Sequence, residues 1–150
     1  MQHEQIAQPE NPELDIRLSV AGSLQTLASL EDWLTTPDVT GVTVSADDDY
    51  SALREHLGRL ETIAIEFADA TDGRGFTIAR SLRDWGYLGE LRATGRFVRD
   101  QLHYLRRCGF DAFELPEGLD PKDAARNLYD FSIRYQTVAD SDRRIHFLMR

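Results

Sequence analysis

Apolar residues alternate with polar ones in several short runs, and amphipathic stretches separate those runs. Leu14, Ile16, Leu18 and Val20 keep the two-residue period of a half-buried strand. Leu24, Leu27, Leu30, Trp33 and Leu34 follow at helical spacing, and Pro37 closes that segment. Val42, Val44 and Ala46 form the next alternating run. Asp47, Asp48 and Asp49 suit a helix start, where carboxylates cap free amides and oppose the dipole. Leu53, Leu57 and Leu60 give that helix its apolar face.

The plan repeats down the chain. Ile63, Ile65 and Phe67 predict a strand, and Phe76, Ile78, Ala79 and Leu82 a helix. Gly86 and Gly89 break the chain before a strand at Leu91 and Ala93. Phe97, Val98, Leu102 and Leu105 continue on a helix that Gly109 ends, and Phe113 and Leu115 lie on one more strand. Pro121 suits the first turn of a last helix, with Asp120 as its cap and Ala125, Leu128 and Ile133 on its inner side. Ile145, Phe147 and Met149 alternate at the C-terminus and suggest a final short strand.

Strands that alternate with helices imply βαβ units and a mainly parallel sheet. The strands are one-sided. Ile63, Ile65 and Phe67 oppose Ala64 and Glu66, and Leu91 and Ala93 oppose Arg92 and Thr94. A doubly wound sheet has central strands apolar on both sides. The expected fold is therefore α/β with repeated βα units, like part of a (β/α) barrel whose inner face is polar. A flavodoxin-like three-layer sheet is the alternative. About five strands are too few to close an eight-stranded barrel, so a homodimer is expected to cover the open edge or the polar face.

The length of 150 residues fits one domain, expected over 13–150 after a disordered, polar arm at 1–12. A hydrophobic content of 41% supports a core, and a domain of this size buries roughly 70% of its unfolded surface. The net charge of −9 disfavours nucleic acid, whose binding is driven by phosphate neutralisation. No run approaches the roughly 20 apolar residues of a membrane span, and the start lacks a secretory core, so a cytoplasmic, soluble protein is expected. Cys108 is the only cysteine; it cannot form an internal disulfide or a cysteine-only metal site.

Candidate chemistry gathers where strands end and helices begin, the usual ligand edge of α/β folds. Asp72, Gly73, Arg74, Gly75 and Phe76 form a turn whose glycines let backbone approach a ligand. It lacks the Gly-Lys-Ser/Thr of a P-loop. The equivalent turn carries Arg96, Arg99, Asp100 and Gln101. Arg74, Arg92 and Arg96 could converge on a small anion. Glu66, Arg92 and Glu114 share one polar strand face, either as an internal ion-pair ladder or as a ligand site. His103, Arg106 and Arg107 sit near a helix end, where cations oppose the dipole. Cys108 has no adjacent histidine or helix N-terminus to activate it. His3, His56, His103 and His146 have no metal-ligand spacing, and no Ser-His-Asp signature appears.

The strings DGRGF, ARSLRDWGYLGELRATG and RDQLHYLRRCGFDAFEL resemble a bacterial domain family whose genes lie beside those for sulfite reductase. Members are labelled as oxidoreductases of sulfite reduction. The likeness covers roughly residues 60–137, including Phe131, Ser132, Tyr135 and Gln136. It implies an accessory role in assimilatory sulfite reduction, binding the reductase, its electron donor or a small anion. A small enzyme acting on an anionic metabolite and a structural dimer module are the alternatives. Asp72, Arg74, Arg92, Asp100 and Gln101 keep the family pattern, whereas Gly95-Arg96 stands where members usually carry Gly-Asp. No flavin, nicotinamide, haem or iron–sulfur motif is visible, so no cofactor is expected.

Overall fold

A computed structural model describes residues 17–20 and 27–129. The expected arm at 1–12, the helical positions Leu24 and Ile133 and the short strand at 145–149 lie outside the described residues. The elements are β1 (Arg17–Val20), β2 (Ala28–Ser29), α1 (Leu30–Thr35), β3 (Gly41–Ser45), a 3₁₀-helix (Tyr50–Arg59), β4 (Thr62–Phe67) and α2 (Arg74–Asp84). They continue with β5 (Glu90–Gly95), a single 3₁₀ turn (Arg99–Gln101), α3 (Leu102–Arg107), β6 (Ala112–Leu115) and α4 (Pro121–Tyr129).

Every described strand pairing is parallel, and the sheet order is β1-β6-β5-β4-β3-β2. From β2 to β6 each strand lies beside its predecessor, without the reversal of a flavodoxin-like sheet. The order is that of a barrel cut open between β1 and β2, and the sheet is not closed. Right-handed crossovers in a constant direction place successive helices on one face.

The one-sided pattern explains the core. Val42, Ile63 and Leu91 stand in register, as do Val44, Ile65, Ala93 and Phe113. All are buried in one cluster with Leu53, Ile78, Leu82, Leu102, Leu105 and Leu128 from the helices. Phe67, Phe97, Phe110 and Phe113 add tilted and edge-on ring contacts at the β4–β6 end of this layer. On the opposite face Thr43, Arg92, Thr94 and Glu114 are half-buried and Glu66 is exposed.

Three local expectations are corrected. Leu27, expected on a helix with Leu30, lies ahead of it: α1 begins at Leu30, because Ala28–Ser29 pair with β3. Ser29 Oγ then accepts the Asp32 amide at 3.1 Å as the cap. Phe97 and Val98 precede the helix they were expected to join, and Val98 holds extended backbone as the cap of the 3₁₀ turn. On α4 Ala124 is fully buried and Ala125 only partly, so the inner stripe is Ala124 and Leu128. Asp120 is the cap of that helix, accepting the Lys122 amide at 2.9 Å.

Candidate functional site

The C-terminal ends of β3, β4 and β5 form one charged rim. Three consecutive aspartates after β3 do three different jobs. Asp48 Oδ2 accepts the Ser45 amide at 2.8 Å, Asp49 Oδ1 accepts the Ser51 amide at 3.2 Å, and Asp47 meets Arg74 Nη1 at 2.7 Å. Arg74 also engages Asp72, with Nε 3.0 Å from Oδ1 and Nη2 2.7 Å from Oδ2. Asp72 Oδ1 further accepts the Arg74 amide at 3.0 Å, which fixes the turn entering α2.

Asp69 builds the neighbouring turn by accepting both the amide and the hydroxyl of Thr71 at 2.8 Å. Gln101 joins two loops. Its Oε1 accepts the Val98 amide at 3.1 Å, and its Nε2 donates to the Ala70 carbonyl at 2.7 Å. The Arg96 amide donates to the Phe67 carbonyl at 2.6 Å and locks the two strand ends together. Gly95, at φ +88°, makes this approach possible; a Cβ there would sit 2.4 Å from the Phe67 carbonyl oxygen.

These bonds set the electrostatics. The two hydrogen bonds from Thr71, with help from the charge of Arg96, hold the Asp69 carboxyl below its ordinary range. Arg74 does the same for Asp72 through side-chain and backbone bonds. Asp72 and Asp47 in turn push the Arg74 guanidinium pKa up. Burial pushes the Cys108 thiol up. Each group moves further from neutrality, whereas a general acid or base works best with a pKa near the operating pH.

The structure distributes the sequence-derived candidates over two places. Asp72, Arg74, Arg96 and Gln101 lie on the rim, with Asp100 exposed beside it and 3.7 Å from Arg99. Glu66, Arg92 and Glu114 do share the polar face of three adjacent strands. Their ladder is not what forms. Arg92 stands level with Ala64 and Ala112, and its Nη2 and Nε bond Glu90 Oε1 at 2.7 and 3.0 Å. Register leaves Arg92 level with alanines: Glu66 pairs with Thr94, two residues along and one strand across, while Glu90 is two residues away on the same strand and face and so lies nearer. Arg74 is bound to carboxylates at the C-terminal rim, and Arg92 to Glu90 at the start of β5.

Two arginines with structural roles escaped the sequence reading. Arg83, on α2, has a side chain only 4% exposed and bonds the carbonyls of Gly109, Tyr87 and Gly89. Arg106 is buried and donates to the Leu128 carbonyl at 3.0 Å, where α4 ends. The sequence shows it only as one of the cations near the end of a helix. An arginine on an amphipathic helix carries no sequence mark of burial, although the glycines at 89 and 109 hint at close approach.

Among the described residues no group of three or more His, Cys, Asp or Glu side chains could hold a metal ion. No described helix is long and apolar enough to cross a membrane. The search of curated proteins finds no match. A family model described as "Bacterial protein of unknown function (DUF934)" matches residues 41–146, and the chain belongs to that family.

Proposed function

We propose that this family member is an accessory component of assimilatory sulfite reduction that acts by binding the reductase or its electron donor. The observation that carries the binding reading is the pairing of charges on the rim. Arg74 is occupied by Asp47 and Asp72, and the Asp69 and Asp72 carboxyls are held ionised. A rim of fixed, paired charges suits recognition of a partner surface better than proton transfer. The sulfur assignment rests on the likeness of the central strings to a family encoded beside sulfite reductase.

Deletion of the gene tests this reading. Growth on sulfate and on sulfite should fall while growth on cysteine is unchanged, and tagged protein should copurify with the reductase from sulfate-grown cells. Equal growth on all three sulfur sources rejects the assignment.

Arg96 favours a second reading, in which the site takes a small anion. It is exposed just past the end of β5 and near enough to Asp69 to act on it through its charge. Calorimetric titration with sulfite, sulfate and phosphate tests it. Heat that disappears in Arg96→Ala supports an anion site, and no heat with any of the three rejects it. A small enzyme acting on an anionic metabolite would require turnover at this same rim.

A further inference from the structure

We infer that the protein self-associates head to tail, with the acidic apolar face of α1 in one copy docking on the basic aromatic face between α2 and α3 in the next. Tyr104 is the centre of the second face. The residue is 54% exposed, yet its ring is backed by Phe76 at 4.9 Å, which in turn packs on Phe67 at 5.3 Å. A rigidly supported, half-exposed tyrosine is the kind of group that anchors protein interfaces. Arg80 and Arg107 lie close enough to act on the Tyr104 hydroxyl through their charge. Asp84 reaches one side of Arg80 at 3.5 Å, so Arg107 leaves this face with a positive surplus.

The other face lies at the β2 edge, where α1 packs beside β2 and β3. Leu34 and Val39 are each 48% exposed there. Trp33 Nε1 donates to the Val39 carbonyl at 2.9 Å and folds the following loop against the helix. The charges around this apolar pair are Glu31, Asp32 and Asp38, all exposed, against Arg59, whose Nη2 is turned to the Pro37 carbonyl at 3.1 Å. One face is thus apolar with negative surplus, the other aromatic with positive surplus. Complementary potentials of this kind select a partner and fix its register.

A single molecule cannot join its own two faces. The α1 face sits over β2 and β3, the Tyr104 face lies on the β5–β6 side, and the 3₁₀-helix and α2 stand between. The partner that carries the matching surface is a second copy. Such a contact is heterologous, so it propagates into a ring or an open chain. It differs from a two-fold seam across the open sheet, which would use the same patch on both copies.

Analytical ultracentrifugation of the full chain across a concentration series tests the inference. The wild type should grow beyond a dimer, and raised salt should reverse this because the attraction is partly ionic. Leu34→Asp and Tyr104→Asp each put a carboxylate at the centre of one face, and each alone should weaken assembly roughly tenfold or more. Both positions are exposed, so circular dichroism melts should match the wild type. An equimolar mixture of the two variants should give a dimer and nothing larger, because each retains one intact, complementary face. A monomeric wild type at millimolar concentration overturns the inference. So does a closed dimer that both variants leave intact, or a mixture that stays monomeric.

Discussion

Arg83 and Gly109 are joined by a forked bond in which Nε and Nη2 donate to one carbonyl oxygen at 3.0 and 2.8 Å. The remaining arm, Nη1, donates to the Tyr87 and Gly89 carbonyls at 2.8 and 2.9 Å. One guanidinium therefore gathers the loops that enter β5 and β6 beneath the end of α2. Asp111 extends the clamp, lying 3.4 Å from Arg83 Nη2 and accepting the Leu91 amide at 2.8 Å.

Arg83→Met should consequently destabilise the fold by about 3–5 kcal/mol, because several buried carbonyls lose their donor at once. Arg83→Lys should recover only part of this, since an ammonium cannot reproduce the planar fork. Urea unfolding of the three proteins checks it. A methionine variant within about 0.5 kcal/mol of the wild type, the range of an ordinary surface change, contradicts the clamp.

Gly95 and Gly86 both have positive φ, but their surroundings differ. A Cβ at Gly86 meets nothing within 4 Å, whereas at Gly95 it runs into the Phe67 backbone. Gly86→Ala should cost about 1–2 kcal/mol, the strain of the left-handed backbone alone. Gly95→Ala should cost clearly more, because the bond from Arg96 to the Phe67 carbonyl must also stretch. Thermal unfolding ranks the two; equal losses would mean that the strand ends give way freely.

Arg92 and Glu90 are each 13% exposed at the side chain and bond one another, while Glu66 stands one pleat further along. A double-mutant cycle on Arg92→Met and Glu90→Gln should return a coupling of about 1–3 kcal/mol. The matching cycle with Glu66→Gln should return almost none. A larger coupling to Glu66 than to Glu90 would restore the ladder that strand order alone suggests.

Much of the sheet was legible because its large apolar side chains lie on one face. Val42, Val44, Ile63, Ile65, Leu91 and Phe113 keep a two-residue period and are all buried, although the small Ala64 and Ala112 on the other face are buried as well. The missing piece was register. Strand order puts Glu66, Arg92 and Glu114 on one face, but only the offset between strands decides which carboxylate Arg92 meets. The start of α1 was misread for a related reason. Leu27 extends the helical spacing backwards, and edge pairing at Ala28–Ser29 overrides it. The Ser29-to-Asp32 spacing held the readable cap signal. Of the rim, Asp72, Arg74 and Gln101 were visible as turn residues, but Asp47 belongs to another strand end and meets Arg74 only through the fold.

The rim carboxylates and Cys108 should bend the pH dependence of stability in opposite directions. Asp69 and Asp72 have pKa values below the ordinary 3.8 when folded, so the unfolded chain takes up their protons first as pH falls. Their contribution is complete above that ordinary value and disappears as pH drops through the lower, folded values. Cys108 has a folded pKa above the ordinary 9.0, so its contribution is complete below that value and fades as pH rises through the folded one. Asp72→Asn should therefore shallow the acid limb of a urea-midpoint profile and leave the alkaline limb unchanged, while Cys108→Ala should do the reverse. The acid effect should be modest and should shrink in high salt, since the rim is exposed. An acid limb identical in Asp72→Asn and wild type would show that Arg74 draws its hold on the rim from Asp47 alone.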